Sequence, residues 1–156
     1  MAKSADALSP DRLLSQYLYD RFSREDGLPA DVIWDILQDD DGYLWLATQN
    51  GLVRFDGVRF VTFNNQNWPA FRSNDIRALC IDDNGNLVLG TYGGGMLRFD
   101  RERFTAVTSD DGLAHDVIYD LTTAQDGAIW LATGGGVSRW HEGRISNWTT
   151  ADGLPS

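Results

Sequence analysis

The sequence is short of several things, and each shortage removes a class of protein. Cys80 is its one cysteine, so neither a disulfide framework nor a thiolate metal cluster can be assembled within the chain. His115 and His141 are its two imidazoles. Neither has a nucleophile and a supporting acid arranged around it as covalent catalysis requires. No apolar run reaches the roughly 18 residues that cross a bilayer as a helix. The opening MAKSADALSP also lacks the apolar core of a signal peptide, and a soluble segment is expected. Basic residues are scarce, 13 Lys and Arg against 23 Asp and Glu, for a net charge of -10. Nucleic acid and anionic membrane surfaces are poor partners for such a chain, because both are bound through clustered cations.

What the chain does hold is apolar bulk and turn residues. Of its 156 residues, 42% are hydrophobic, with six Trp, seven Phe, five Tyr and 16 Gly. That is enough for a sizeable core in a β-rich protein, where aromatic rings pack on pleated faces and glycines close tight turns. The residues also repeat. Asp39 to Phe60 reads DDDGYLWLATQNGLVRFDGVRF, Asp82 to Phe104 reads DDNGNLVLGTYGGGMLRFDRERF, and Ala124 to Ile145 reads AQDGAIWLATGGGVSRWHEGRI. Gly42, Gly85 and Gly127 stand 43 and 42 residues apart, as do Thr48, Thr91 and Thr133. A period near this length is the mark of propellers, solenoids and arrays.

Each copy divides into four short strands. Val32 to Gln38, bounded by turn residues, has the β-branched apolar character of a buried strand. Its Ile33 aligns with Ile76 and Ile118, and its Ile36 with Leu79 and Leu121, so these positions are expected to be buried in every copy. Asp41-Gly42, Asn84-Gly85 and Asp126-Gly127 supply hairpin turns. A second strand follows with Trp45, Val88 or Trp130 at equivalent positions. Glycine-rich turns then lead to third strands at Val53 to Phe55, Leu97 to Phe99 and Ser138 to Trp140, and fourth strands surround Phe60, Phe104 and Ile145. Four antiparallel strands make one propeller blade. The expected fold is therefore an all-β propeller segment of about three blades, over residues 30–63, 74–108 and 116–149. Residues 1–16 form a lead-in, 17–22 an outer strand, and 152–156 the start of a further blade. Asn64 to Ser73 is the one long irregularity.

The order Asp-Gly-Leu-Pro, Asp-x-x-Gly-x-Leu-Trp-x-x-Thr, Gly-Leu-x-Arg-Phe-Asp-Gly-x-x-Phe, at Asp26 to Pro29, Asp39 to Thr48 and Gly51 to Phe60, resembles the two-component regulator propeller repeats. The second copy departs by losing the Asp-Gly-Leu opening and the Trp. The third departs with Ala124 for the leading Asp and Trp140 for Phe. The resemblance implies the periplasmic or extracytoplasmic sensor region of a bacterial hybrid histidine kinase or diguanylate cyclase. It also implies a larger parent ring of about seven blades, of which this is the N-terminal part; the competing reading is that two copies of the chain pair into a ring of about six. A non-catalytic ligand-sensing module without a cofactor is then expected, its output domain lying outside this segment. The alternatives are a fragment of a propeller lyase or glycosidase, and a scaffold for protein contacts.

Site candidates follow from where the repeat stops repeating. Asp39 to Gly42 and Asp82 to Gly85 are too compact for a calcium loop, which spaces its acids over a dozen positions. The triplets Gly93 to Gly95 and Gly134 to Gly136 lack the Lys and helix of a phosphate cradle. Cys80, aligned with Leu37, reads as a small buried hydrophobe. Trp34, Arg77 and Tyr119 differ while the isoleucines before them stay constant, and Asp31, Asn74 and Asp116 precede them. With Tyr92 they are the expected ligand-binding set at one end of the inner strands, bordered by Arg72 and Trp68. Aromatic rings with a few amide, carboxylate and guanidinium groups suit a small polar ligand such as a carbohydrate. No metal is expected.

Overall fold

The computed structural model describes residues 22–155. The expected outer strand at 17–22 therefore lies outside the described residues apart from Phe22, whose ring packs edge-on against Phe55 and Phe60 at 5.0 and 5.4 Å.

Twelve strands form three antiparallel sheets of four, each a simple meander. The first contains β1 (Ile33–Gln38), β2 (Leu44–Thr48), β3 (Gly51–Phe55) and β4 (Phe60–Phe63). The second contains β5 (Ile76–Ile81), β6 (Leu87–Thr91), β7 (Met96–Phe99) and β8 (Phe104–Val107). The third contains β9 (Ile118–Thr123), β10 (Ile129–Thr133), β11 (Gly136–His141) and β12 (Arg144–Trp148). The inner strands β1, β5 and β9 are neighbours in that order. Each sheet lays one face on the opposite face of the next, which is propeller architecture.

Strand periodicity explains the sequence of the middle sheet. Along β6, Leu87 and Leu89 join Trp45, Ala47, Leu52 and Phe63 of the first sheet, whereas Val88 joins Ile118, Leu121, Ile129 and Leu131 of the third. Alternate residues point to opposite faces, so a sheet covered on both sides needs apolar residues throughout, and every residue of β6 is buried. Gly90 follows from the same packing. A Cβ there would stand 2.7 Å from the Ile118 Cγ2, so β9 passes too close for the alanine found at Ala47 and Ala132.

Burial of the inner-strand isoleucines is a correction to the sequence reading. Ile76, Leu79, Ile118 and Leu121 are buried, but Ile33 and Ile36 are 39% and 59% exposed. These positions point toward the preceding blade, and among the described residues no sheet lies on that side of β1.

The recurrent turns have equally direct causes. Before the first and third sheets, and again after the third, a single 3-10 turn spans Arg24–Asp26, Ser109–Asp111 and Thr150–Asp152. In each, the Asp of Asp-Gly-Leu accepts from the backbone N–H of Ser23, Thr108 or Thr149 at 2.8 to 2.9 Å, and the Gly takes a positive φ. This is a capping box. Thr48, Thr91 and Thr133 donate their hydroxyls to the carbonyls of Gly51, Gly95 and Gly136 at 2.7 to 2.8 Å. Where the opening motif is lost, Trp68 and Phe71 fill its place, packing edge-on against Phe104 at 5.1 and 4.7 Å.

Candidate functional site

The three inner strands share an irregularity at the same residue. Ile33 pairs with Thr48 and Asp35 with Ala47, leaving Trp34 unmatched. Ile76 pairs with Thr91 and Ala78 with Gly90, leaving Arg77 unmatched. Ile118 pairs with Thr133 and Asp120 with Ala132, leaving Tyr119 unmatched. A β-bulge of this kind re-aims the extra side chain and is favoured beside functional sites. Here it turns three variable side chains out of three otherwise equivalent sheets at the same end.

Those side chains meet. The Arg77 guanidinium lies 4.2 Å from the centre of the Trp34 ring and 5.0 Å from that of Tyr92. Tyr92 in turn meets Tyr119 edge to face at 6.3 Å. Trp34, Tyr92 and Tyr119 are 45%, 47% and 56% exposed, so the ladder Trp34, Arg77, Tyr92, Tyr119 presents aromatic surface to solvent. Stacking between two rings contributes about 0.5–2 kcal/mol per cation–π contact, depending on desolvation, and holds the guanidinium in place. Arg77 Nη2 also donates to Asp75 Oδ2 at 2.7 Å. Arg77 Nε and Asp75 Oδ1 are shielded from solvent and have no partner among the described residues.

The loop after β6 is what places Tyr92. Tyr92 donates its N–H to the Asp75 carbonyl at 2.8 Å, and its own carbonyl accepts from Ser73 Oγ at 2.8 Å. Gly93 and Gly95 donate to the Asp116 carbonyl at 3.1 and 2.9 Å. The glycine triplet is thus a turn strapped to the approach of the third sheet.

The remaining expected residues have other engagements. Asp116 accepts from the Ser109 N–H and hydroxyl at 2.6 and 3.1 Å, Asn74 exchanges hydrogen bonds with Asn65, and Asp31 pairs with Arg24 at 3.0 Å. All three clasp the loop that leads into their blade and stand outside the ladder. Arg72 makes an exposed ion pair with Asp110 at 3.7 Å, and Trp68 packs on Phe63, Phe99 and Phe104. Asp75 is the member that the sequence reading missed. The signal was there, since residues two apart on an extended segment share a face and Asp75 stands two before Arg77.

Reactive groups elsewhere are tied down. Burial pushes the Cys80 thiol up to about 11, with Asp82 and Asp35 adding to the rise against a hydrogen bond with Thr123, so it holds little thiolate at neutral pH. His115 Nδ1 accepts the Val117 N–H at 2.9 Å. Among the described residues no cluster of His, Cys, Asp and Glu is placed to hold a metal ion.

Comparison with known proteins bears on this geometry. Residues 27–50 and 70–93 match the family described as two component regulator propeller. These are two-component regulator propeller repeats. The first match contains Trp34, and the second contains Asp75, Arg77 and Tyr92; the third copy lies outside both. A stretch of 51 residues is 39% identical to Histidine kinase P4 of Formosa agariphila, covering 33% of this chain and 4% of that protein. The extracellular domain of a hybrid two component system from B. thetaiotaomicron superposes with a TM-score of 0.78 at 23% identity, over 88% of this chain and 21% of that one. Virginiamycin B lyase from Staphylococcus aureus superposes with a TM-score of 0.59 at 18% identity, over 78% of this chain and 43% of that one. Both likenesses are of fold. The matched regions span 4%, 21% and 43% of these three relatives, less than half of each.

Proposed function

We propose that these repeats belong to the extracytoplasmic sensor of a bacterial signal-transduction receptor, and that the ladder is part of its ligand-binding surface. The observation that carries this reading is the triple bulge. A purely structural repeat has no reason to keep one bulge in every blade while changing the residue on it from Trp to Arg to Tyr. The ligand is a small polar molecule with hydroxyl groups, a carbohydrate. Exposed aromatic faces stack on its ring, and the Arg77 guanidinium held between them, its side chain 28% exposed, offers charged N–H donors to hydroxyl oxygens. Such a module needs no catalysis of its own. A signal passes only if the ligand binds two receptor states unequally, and an output domain outside this segment reads the difference. Family membership and the 39% identity to a histidine kinase support that role.

A glycan array probed with the labelled chain tests the proposal. Retention of a restricted set of glycans, lost in both Trp34→Ala and Arg77→Ala, is the expected result. Equal retention by wild type and both variants, or no retained glycan, overturns the assignment. Turnover of a retained glycan overturns its non-catalytic character.

A further inference from the structure

The opposite end of the blades holds a second feature, beside the hairpin turns and about five residues of strand, some 17 Å, from the ladder. A cleft of ≈ 130 Å³ opens between the first two sheets, with Tyr43, Trp45, Arg54, Leu87, Phe99 and Arg101 among its lining residues. Its chemistry follows from how each blade spends its leading carboxylate.

In the second blade Arg98 Nε donates to Asp82 at 2.7 Å, and in the third Arg139 donates to Asp126 at 2.7 Å. Arg54 is their equivalent in the first blade, yet its guanidinium makes no hydrogen bond or ion pair among the described residues. The cause is Trp45. Its indole N–H takes Asp39 Oδ2 at 2.7 Å, while Asp39 Oδ1 accepts from the N–H groups of Asp41 and Tyr43 at 3.1 and 2.9 Å. The second blade has Val88 in place of the Trp, which frees Asp82 for its arginine. The third keeps Trp130 but has Ala124 in place of the Asp, so its arginine turns to Asp126. Only the first blade has both the Trp and the Asp, and its arginine is left over.

Arg54 lies over the Tyr43 ring, its Cζ 4.5 Å from the centroid. Stacking uses the face of a guanidinium and leaves its in-plane N–H fork free for a bidentate partner. The other charges nearby are satisfied: Asp39 by three N–H donors, and Asp41 by Arg101 at 3.2 Å. The walls, Trp45, Leu87 and Phe99, are apolar.

We propose that this cleft binds a small carboxylate with a flat apolar body, anchored by Arg54. One cation without a partner among the described residues, beside two aspartates, fits one negative charge, which disfavours a phosphate. The net charge of the rest of the chain acts weakly here, since charges beyond about 8 Å are screened at physiological salt.

Benzoate is the probe and benzamide its neutral isostere, each titrated into the 156-residue chain while the indole N–H resonance of Trp45 is followed by NMR. Benzoate is expected to shift that resonance saturably and to bind at least about tenfold more tightly than benzamide, as a hydrogen-bonded charge pair implies. Arg54→Gln abolishes the preference, Arg54→Lys restores part of it, and Arg59→Gln leaves it unchanged. Equal binding of the two probes to wild type, a preference that survives Arg54→Gln, or an unmoved Trp45 resonance overturns the proposal. The wild-type comparison stands even if a variant fails to fold, and the ladder assignment is untouched by either outcome.

Discussion

Replacing Trp45 by Phe tests the carboxylate logic of the blades. Trp45 is 3% exposed and wedged between two sheets, its ring 5.7 Å from Phe63 and 5.9 Å from Phe99. The substitution keeps an aromatic ring but removes the indole bond to Asp39. A hydrogen bond to a charged group is worth about 1.5–3 kcal/mol, and the smaller ring adds about 1 kcal/mol of lost packing. Against this, Asp39 becomes free to pair with Arg54, as Asp82 pairs with Arg98, which returns about 0.5–1 kcal/mol. The net cost is about 2–3 kcal/mol, a fall in Tm of roughly 4–12 °C for a chain of this size. The sharper reading is a double-mutant cycle by urea denaturation. Arg54→Gln is expected to cost about 0.5–1 kcal/mol more in the Trp45→Phe background than in wild type. An equal cost in both backgrounds refutes the reasoning, because Asp39 and Arg54 would then be indifferent to the indole.

Three further expectations concern stability and reactivity. Asp82 is pushed up by burial, but the Asn86 backbone N–H, Arg98 and the Asn86 side chain outweigh this and hold it below the usual carboxylate value. The unfolded chain then takes up a proton before the folded one does, so this stabilisation is complete above about pH 4 and is lost as pH falls through the depressed folded value. Asp82→Asn should flatten the acid limb of a stability–pH curve, and an unchanged limb would count against the network. Gly95 has φ 75°, and a Cβ there would collide with the Val107 carbonyl; Gly95→Ala is expected to cost about 2–4 kcal/mol in urea denaturation, and a neutral result would contradict the turn geometry. Cys80 should resist thiol reagents at pH 8 in the folded chain and react on unfolding, whereas rapid native labelling would contradict its burial.

Much of the fold was legible because the repeat states each structural requirement several times. The Gly of each hairpin, the Thr that caps each third strand and the Asp of each capping box recur at one period because each answers a backbone need that recurs. The ladder was legible only in part. Trp34, Arg77 and Tyr119 stood out as differences between aligned copies, but the bulge that turns them outward is a matter of strand register, which alignment of one strand with its copies does not reveal. Asp31, Asn74 and Asp116 were expected in the site because they stand three residues before the variable positions; their side chains engage Arg24, Asn65 and Ser109 rather than the ladder. The exposure of Ile33 and Ile36 was hidden for another reason. Burial at those positions depends on a neighbouring blade, and no property of the strand itself encodes whether one is there. Arg54 was hidden most completely, since its freedom depends on Trp45 and Asp39 together.

The central claim is that the bulged residues form a ligand-binding surface, and calorimetry tests it most directly. The glycan best retained on an array would be titrated into wild type, Arg77→Ala and Val58→Thr, the last at a residue 82% exposed on a distant turn. Saturable binding by wild type and Val58→Thr, with a loss of at least about tenfold for Arg77→Ala, is the result the account predicts. Indistinguishable isotherms for all three would contradict it.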